Sequence, residues 1–185
     1  TRPGAGHAHE GGGEEEAPVT IGLRQYRTAL RGEGEMGDGL FEKLRVRAGY
    51  ADYEHTEFEG NEVGTIFKSK AIEGRVELVQ NNRNGWRGAS GLQYQTRDFE
   101  AIGAEAFVPP NRSNQFGIFT LQEFALGSLE LEAALRYDRA NLEAQSIGAS
   151  RSFNNVSAAL GAAYVTGNVK FGANLSRTGR APSAE

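Results

Sequence analysis

The chain has 185 residues, enough for one domain, and a formal charge of −4 with no basic stripe, which excludes the electrostatic footprint of nucleic acid binding. Cysteine is absent, so disulfides and thiolate metal sites are excluded, while 25 Gly against 5 Pro suits a sheet protein with tight turns. Mean hydropathy is −0.51 and no run of 18 apolar residues occurs, so no transmembrane helix is encoded; barrel strands, which alternate lipid-facing and lumen-facing residues, remain allowed.

Residues 1–18 read as a loop, broken by Gly4, Gly6 and Gly11–Gly13 and extended by the mutual repulsion of Glu14–Glu16. TRPGAGHAHE lacks a basic n-region followed by an apolar h-region, so it does not read as a signal peptide. The first predicted strand is Val19–Glu33, with Ile21 and Leu23 on one parity and Tyr26 and Leu30 on the other. That switch implies a bulge or a strand end leaving the apolar zone. Strand two, about Glu42–Glu54, sets Leu44, Val46, Ala48 and Tyr50 against Arg45, Arg47 and Gly49. A long polar loop is expected over His55–Thr65.

Ala71–Arg97 is the clearest hairpin. Ile72, Val76 and Leu78 alternate with Glu73, Arg75 and Glu77, the turn is Asn81–Gly85, and Leu92 and Tyr94 alternate with Gln93, Gln95 and Arg97. A second long loop, Asp98–Asn114, contains Pro109-Pro110, which cannot lie inside a ladder. Strand five is about Gln115–Phe124. Strand six sets Leu129, Leu131, Ala133, Leu135 and Tyr137 against Glu130, Glu132, Arg136 and Asp138. A third long loop covers about Ala140–Ser152. Strand seven carries Val156, Ala158, Leu160 and Tyr164, and strand eight Val169, Phe171, Ala173 and Leu175.

The predicted connections are short after strands one, three, five and seven and long after two, four and six. An up-and-down meander of this kind puts every long loop at one end, the arrangement of outer-membrane barrels. Aromatic residues near strand ends (Tyr50, Tyr53, Trp86, Tyr94, Phe99, Tyr137, Phe153, Tyr164) fit interfacial girdles. The expected fold is therefore all-β: an antiparallel up-and-down transmembrane β-barrel segment of about eight strands. Alternation alone also fits a soluble β-sandwich binding module, and a small non-transporting outer-membrane barrel such as an adhesin stays open.

Four segments resemble a known family: Gly49–Phe67 (GYADYEHTEFEGNEVGTIF), Thr96–Arg112 (TRDFEAIGAEAFVPPNR), Leu135–Arg139 (LRYDR) and Ser176–Glu185 (SRTGRAPSAE). Together they resemble the β-barrel of TonB-dependent outer-membrane receptors, particularly the zinc-uptake branch with its His-rich and acidic loops. The resemblance implies a larger barrel of about twenty-two strands around a plug that contacts the TonB complex. Against that pattern the eight strands and the absent plug imply a fragment. It divides into residues 1–18 as a His/Glu/Gly-rich extracellular loop, 19–178 as strands and loops, and 179–185 as the start of the next extracellular loop. The implied setting is the lipid of a Gram-negative outer membrane.

The candidate metal donors are His7, His9, Glu10 and His55. In an extended backbone His7 and His9 share a face, so two imidazoles can meet one cation, with Glu10 and Glu14–Glu16 as oxygen donors. The competing reading is an acidic, Gly-rich loop with incidental histidines. His55, near Asp52, Glu54 and Glu57, is expected at the extracellular end of strand two. The cargo expected is Zn²⁺ or another metal ion or chelate, with no cofactor required. With no cysteine, three histidines placed in loops and no nucleophile–base pair, the sequence carries no catalytic constellation, and no enzyme is expected.

Overall fold

The computed structural model describes residues 19–103 and 106–182. Within them the chain forms one eight-stranded antiparallel sheet in sequence order, β1 (Val19–Glu35), β2 (Phe41–Glu59), β3 (Glu62–Gln80), β4 (Trp86–Gly103), β5 (Asn111–Leu126), β6 (Leu129–Ala144), β7 (Ala149–Thr166) and β8 (Val169–Arg177). A 3₁₀ turn at Gln145–Ile147 is the one helical element among the described residues. The eight expected strands are present in an up-and-down meander. Tight turns use left-handed backbone where it is needed: Asn84-Gly85 lies between β3 and β4, with Asn82 accepting the Gly85 N–H at 3.0 Å.

The strands exceed their expected lengths at one end. His55–Thr65 is not a loop: β2 runs to Glu59, β3 begins at Glu62, and Gly60-Asn61 alone turn the chain. The expected loops Asp98–Asn114 and Ala140–Ser152 shrink likewise, because β4 continues to Gly103, β5 starts at Asn111, β6 continues to Ala144 and β7 starts at Ala149. These extensions pair polar residues with polar residues. Asp52 faces Lys70, Lys70 faces Asp98, and Asp98 faces Arg112 across successive strands. Backbone ladders and opposite-charge pairs hold such strands without apolar alternation. The loop asymmetry therefore takes the form of a strand asymmetry, with long polar extensions at the end where long loops were expected.

The register also resolves the parity switch in β1. β1 pairs with β2 from Val19 to Glu35 without interruption, so no bulge lies within it. Tyr26 and Leu30 belong to the apolar face, while Ile21 and Leu23 lie on the other face beyond the apolar zone.

A single sheet has no layer to cover it, and among the described residues only Ala101 and Ala140 are buried apolar side chains. Leu30, Ile72, Leu92, Ile118, Leu135, Leu160 and Leu175 are all exposed on one face. This face extends across eight strands, far beyond the few hundred square ångströms of apolar patch that a soluble monomer exposes. The rim of the band decides its environment. In register terms Arg24 on β1 lies one row above Asp52 and Lys70, which lie one row above Thr96 and Asn114, which lie one row above Arg139 and Asn154. The polar rim thus steps by one residue pair every two strands. One pair is about 6.7 Å along a strand and two inter-strand spacings about 9.6 Å, so the rim runs about 35° off the perpendicular to the strands, and strands crossing a plane level with it tilt about 35° from its normal. Membrane barrels tilt their strands by about 35–45°. The apolar band is level with a membrane plane, and the polar face turns toward the barrel interior.

Candidate functional site

The inner face is polar from end to end. At membrane depth it carries two parallel rows of side chains. In one, Glu33, Arg45, Glu77, Gly91, Phe119 and Arg136 oppose one another on β1 to β6. Arg45 donates from Nε to Glu33 at 2.8 Å and from Nη1 to Glu77 at 3.3 Å, and Arg75 donates to Glu77 at 2.7 Å. Arg136 grips Asp138 through Nε and Nη2 at 2.7 and 2.6 Å, and Gln115 donates to the same carboxylate at 3.2 Å. Asp138 is 6% exposed, so this charge-assisted pairing offsets its desolvation. Two guanidinium carbons lie over the Phe119 ring, Arg75 at 4.1 Å and Arg136 at 5.9 Å from its centroid.

Glycines keep this wall flat. A Cβ on Gly91 would stand 2.6 Å from the Phe119 ring and 2.4 Å from the Val76 carbonyl oxygen. One on Gly117 would stand 2.6 Å from Arg136 Nη2 and 2.7 Å from Asp138 Oδ1. Their neighbours lie sideways across the bare backbone instead of projecting into the lumen.

The adjacent row brings three like charges together, Arg31 opposite Arg47 and Arg47 opposite Arg75. Among the described residues neither Arg31 nor Arg47 has a carboxylate partner, and both are exposed. Like charges directly opposite one another oppose strand pairing, so this strip holds positive potential toward whatever occupies the barrel.

The end of the inner face beyond the polar rim is different in kind. His55 lies inside β2, opposite Leu23 on β1 and Phe67 on β3. Its ring stacks on Phe67 at 4.5 Å between centroids and meets Tyr53 edge-on at 5.5 Å. Nε2 is 3.6 Å from Glu57 Oε1, and Nδ1 is buried without a hydrogen-bond partner. Alternation puts Glu57 on the same face, whereas Asp52 and Glu54 point to the other face, where Lys70 lies 3.9 Å from Asp52 and Arg24 lies 3.5 Å from Glu54. The structure therefore brings together one imidazole and one carboxylate of the expected His55 group and separates the other two acids. Among the described residues no three His, Asp or Glu side chains are arranged to hold a metal. His7, His9 and Glu10 lie outside the described residues.

Tyr53, Phe99 and Phe153 do not belong to the expected lipid-facing girdle: their alternation turns them inward, Tyr53 and Phe99 beside Phe67, with Arg97 5.7 Å over the Phe99 ring. The signal for this placement was present: odd parity continues unbroken from Arg45 to Glu57, and reading His55–Thr65 as a loop concealed it.

Residues 9–185 match the family model described as TonB dependent receptor-like, beta-barrel. Among solved structures, the copper transporter OprC matches with a TM-score of 0.74 at 14% identity, over 87% of this chain and 30% of that one. The FrpB iron transporter of Neisseria meningitidis, F5-1 variant in its apoprotein form, matches with a TM-score of 0.70 at 16% identity, over 85% and 29% respectively. Its F3-3 variant matches with 0.71 at 15% identity, over 85% and 28%. The chain spans about a third or less of the length of these structures, whose likeness is one of fold.

Proposed function

Because the chain belongs to the TonB-dependent receptor-like β-barrel family of the Gram-negative outer membrane, we propose that it forms part of the barrel wall of a transporter for a scarce metal species, with zinc as the cargo. The family is one of receptors and transporters and not an enzyme class. The fold neighbours that carry copper and iron support metal as the class of cargo. The observation that carries the zinc reading is the orientation of His55, whose imidazole and Glu57 face the lumen at the extracellular mouth. Nitrogen and carboxylate oxygen donors suit Zn²⁺, and His7, His9 and Glu10 supply the same donor types ahead of β1. A metal caught by these residues enters a lumen walled by the ion-paired rows described above. Energy for passage comes from the TonB complex acting through a plug that fills the full barrel.

The test is zinc titration by calorimetry on the full receptor, with His7 and His9 changed together to Ala and His55→Ala made separately. The double variant is expected to lose zinc affinity at least tenfold, and wild-type binding to weaken as pH falls below about 6, where imidazole ligands take up protons. Unchanged affinity in the double variant removes zinc from the proposal. Loss in His55→Ala alone confines capture to the mouth of the wall.

A further inference from the structure

The sequence has one Asn-Gly step, Asn84-Gly85, and it forms the tip of the β3–β4 hairpin. The Arg83 N–H donates to the Trp86 carbonyl at 2.8 Å and the Trp86 N–H donates back to the Arg83 carbonyl at 3.1 Å, which leaves a two-residue turn between them. Both turn residues hold left-handed backbone, φ 55° at Asn84 and 86° at Gly85, and Asn84 is the one non-glycine residue to do so among the described residues. Its side chain is exposed to water.

This dipeptide carries a latent reaction. Glycine has no Cβ to hinder the approach of its backbone nitrogen to the preceding side chain. The Gly85 nitrogen forms a bond to Asn84 Cγ as it gives up its proton, and the Asn84 side-chain nitrogen departs as ammonia. Water then opens the resulting cyclic imide at either carbonyl, leaving aspartate or isoaspartate.

The attack needs a Gly85 nitrogen stripped of its proton, and the fold holds that proton in place. Asn82 Oδ1 accepts the Gly85 N–H at 3.0 Å, and an amide oxygen is too weak a base to remove it. The neighbouring β1–β2 turn has the related step Asp38-Gly39 and lacks such a guard. There Asn81 Nδ2 grips the Gly37 and Gly39 carbonyls at 3.0 and 2.8 Å, and no side chain takes the Gly39 N–H among the described residues. Two consecutive asparagines thus act differently: Asn81 ties two turns together through carbonyls, and Asn82 occupies a nucleophile.

Gly85 also joins its turn to β5. Its carbonyl accepts the Ala125 N–H at 2.8 Å, and a Cβ added to it would stand 2.4 Å from the Ala125 carbonyl oxygen. Isoaspartate routes the chain through the former side chain and inserts one more backbone atom before Gly85, which displaces it from so close a seat.

We propose that Asn84 is a site of spontaneous deamidation restrained by the Asn82 side chain, and that its conversion to isoaspartate releases the β3–β4 turn from β5.

Peptide mass spectrometry of the full receptor in lipid vesicles, incubated at neutral pH in heavy-oxygen water, tests this, since each ring opening fixes one labelled oxygen. Asn82→Ala is expected to deamidate at Asn84 at least tenfold faster than wild type. Asn82→Asp keeps an acceptor for the Gly85 N–H and is expected to stay within twofold of wild type. Asp38→Asn places a second Asn-Gly step where no side chain holds the nitrogen, and that step is expected to convert at least tenfold faster than Asn84 in the same molecule. Hydrogen exchange at the Ala125 amide reads the consequence: faster in the isoaspartate fraction, and unchanged in Asn84→Asp, which adds the charge without the extra backbone atom. Equal rates at Asn84 in wild type and Asn82→Ala overturn the guard, and an equally protected Ala125 amide in the isoaspartate fraction overturns the release. If Asn82→Ala fails to insert, Asp38→Asn decides the matter, because conversion of its two Asn-Gly steps at one rate overturns the proposal.

Discussion

Gly91 shows how single residues set the shape of the wall. It sits where an added Cβ would overlap the Val76 carbonyl oxygen at 2.4 Å, a backbone atom that cannot swing aside. Gly91→Ala is expected to destabilise the barrel by about 1–3 kcal/mol, the usual cost of overpacking, read as a lower urea midpoint for the receptor in lipid vesicles. At Gly32, by contrast, nothing lies within 4 Å of the place a Cβ would take, so Gly32→Ala is the neutral comparison. Equal midpoints for the two variants would reject the account of the flat wall. Some of this scale was legible in advance: the inward direction of Arg75, Gln93 and Arg97 follows from alternation alone. The placement of the Phe119 ring under two guanidiniums was not, since it depends on which glycine stands opposite which ring, and register is invisible until strands are paired.

At the scale of the strand, the hairpin β3–β4 makes the two faces testable. Val76, Leu92 and Ile118 oppose one another on the lipid face, at mid-band. Leu92→Arg is expected to cost about 2–4 kcal/mol of membrane insertion, the penalty for a guanidinium near the bilayer midplane. The obvious inward comparison, Gln93, is a poor one, because it accepts a hydrogen bond from Arg136 at 3.3 Å and opposes Arg75. Gln95 is exposed and opposes Glu73, so Gln95→Arg gains an opposite charge and is expected to insert normally. Folding yield into vesicles reads both, and equal losses would mean the faces are assigned wrongly. The number and order of strands were legible from apolar alternation. Their ends were not: Asp52–Glu59 and Glu62–Lys70 contain few apolar residues, so a pattern that counts only apolar positions stops where the strand leaves the hydrocarbon and mistakes wet strand for loop.

At the scale of the whole molecule, the sheet is a section of wall. β1 and β8 each have one side unpaired among the described residues, and a lone sheet with such edges is prone to associate. The fold neighbours are about three times as long, so the plug, the remaining strands and the driven transport cycle belong to the proposal for the full receptor. Family membership was legible in four short segments of sequence, among them LRYDR and SRTGRAPSAE, whereas the metal was not. Three of its four expected donors lie outside the described residues, and the fourth, His55, shares its face with Glu57 alone of its acidic neighbours.

The central claim is that the stepped rim marks a membrane plane, and depth-dependent fluorescence quenching tests it directly. The sequence has no cysteine, so single-cysteine labels can be placed in this stretch without removing others. Arg24, Asp52, Asn114 and Asn154 occupy four successive register rows on β1, β2, β5 and β7. Labels at these four positions in the full receptor are predicted to sit at one depth. Asp52 and Glu143 share a row, and the label at Glu143 is predicted to lie about 11–14 Å further from the bilayer, as a tilt of about 35–45° over four strand spacings requires. Equal depths for Asp52 and Glu143, with Arg24, Asn114 and Asn154 spread row by row, would contradict the membrane-spanning wall.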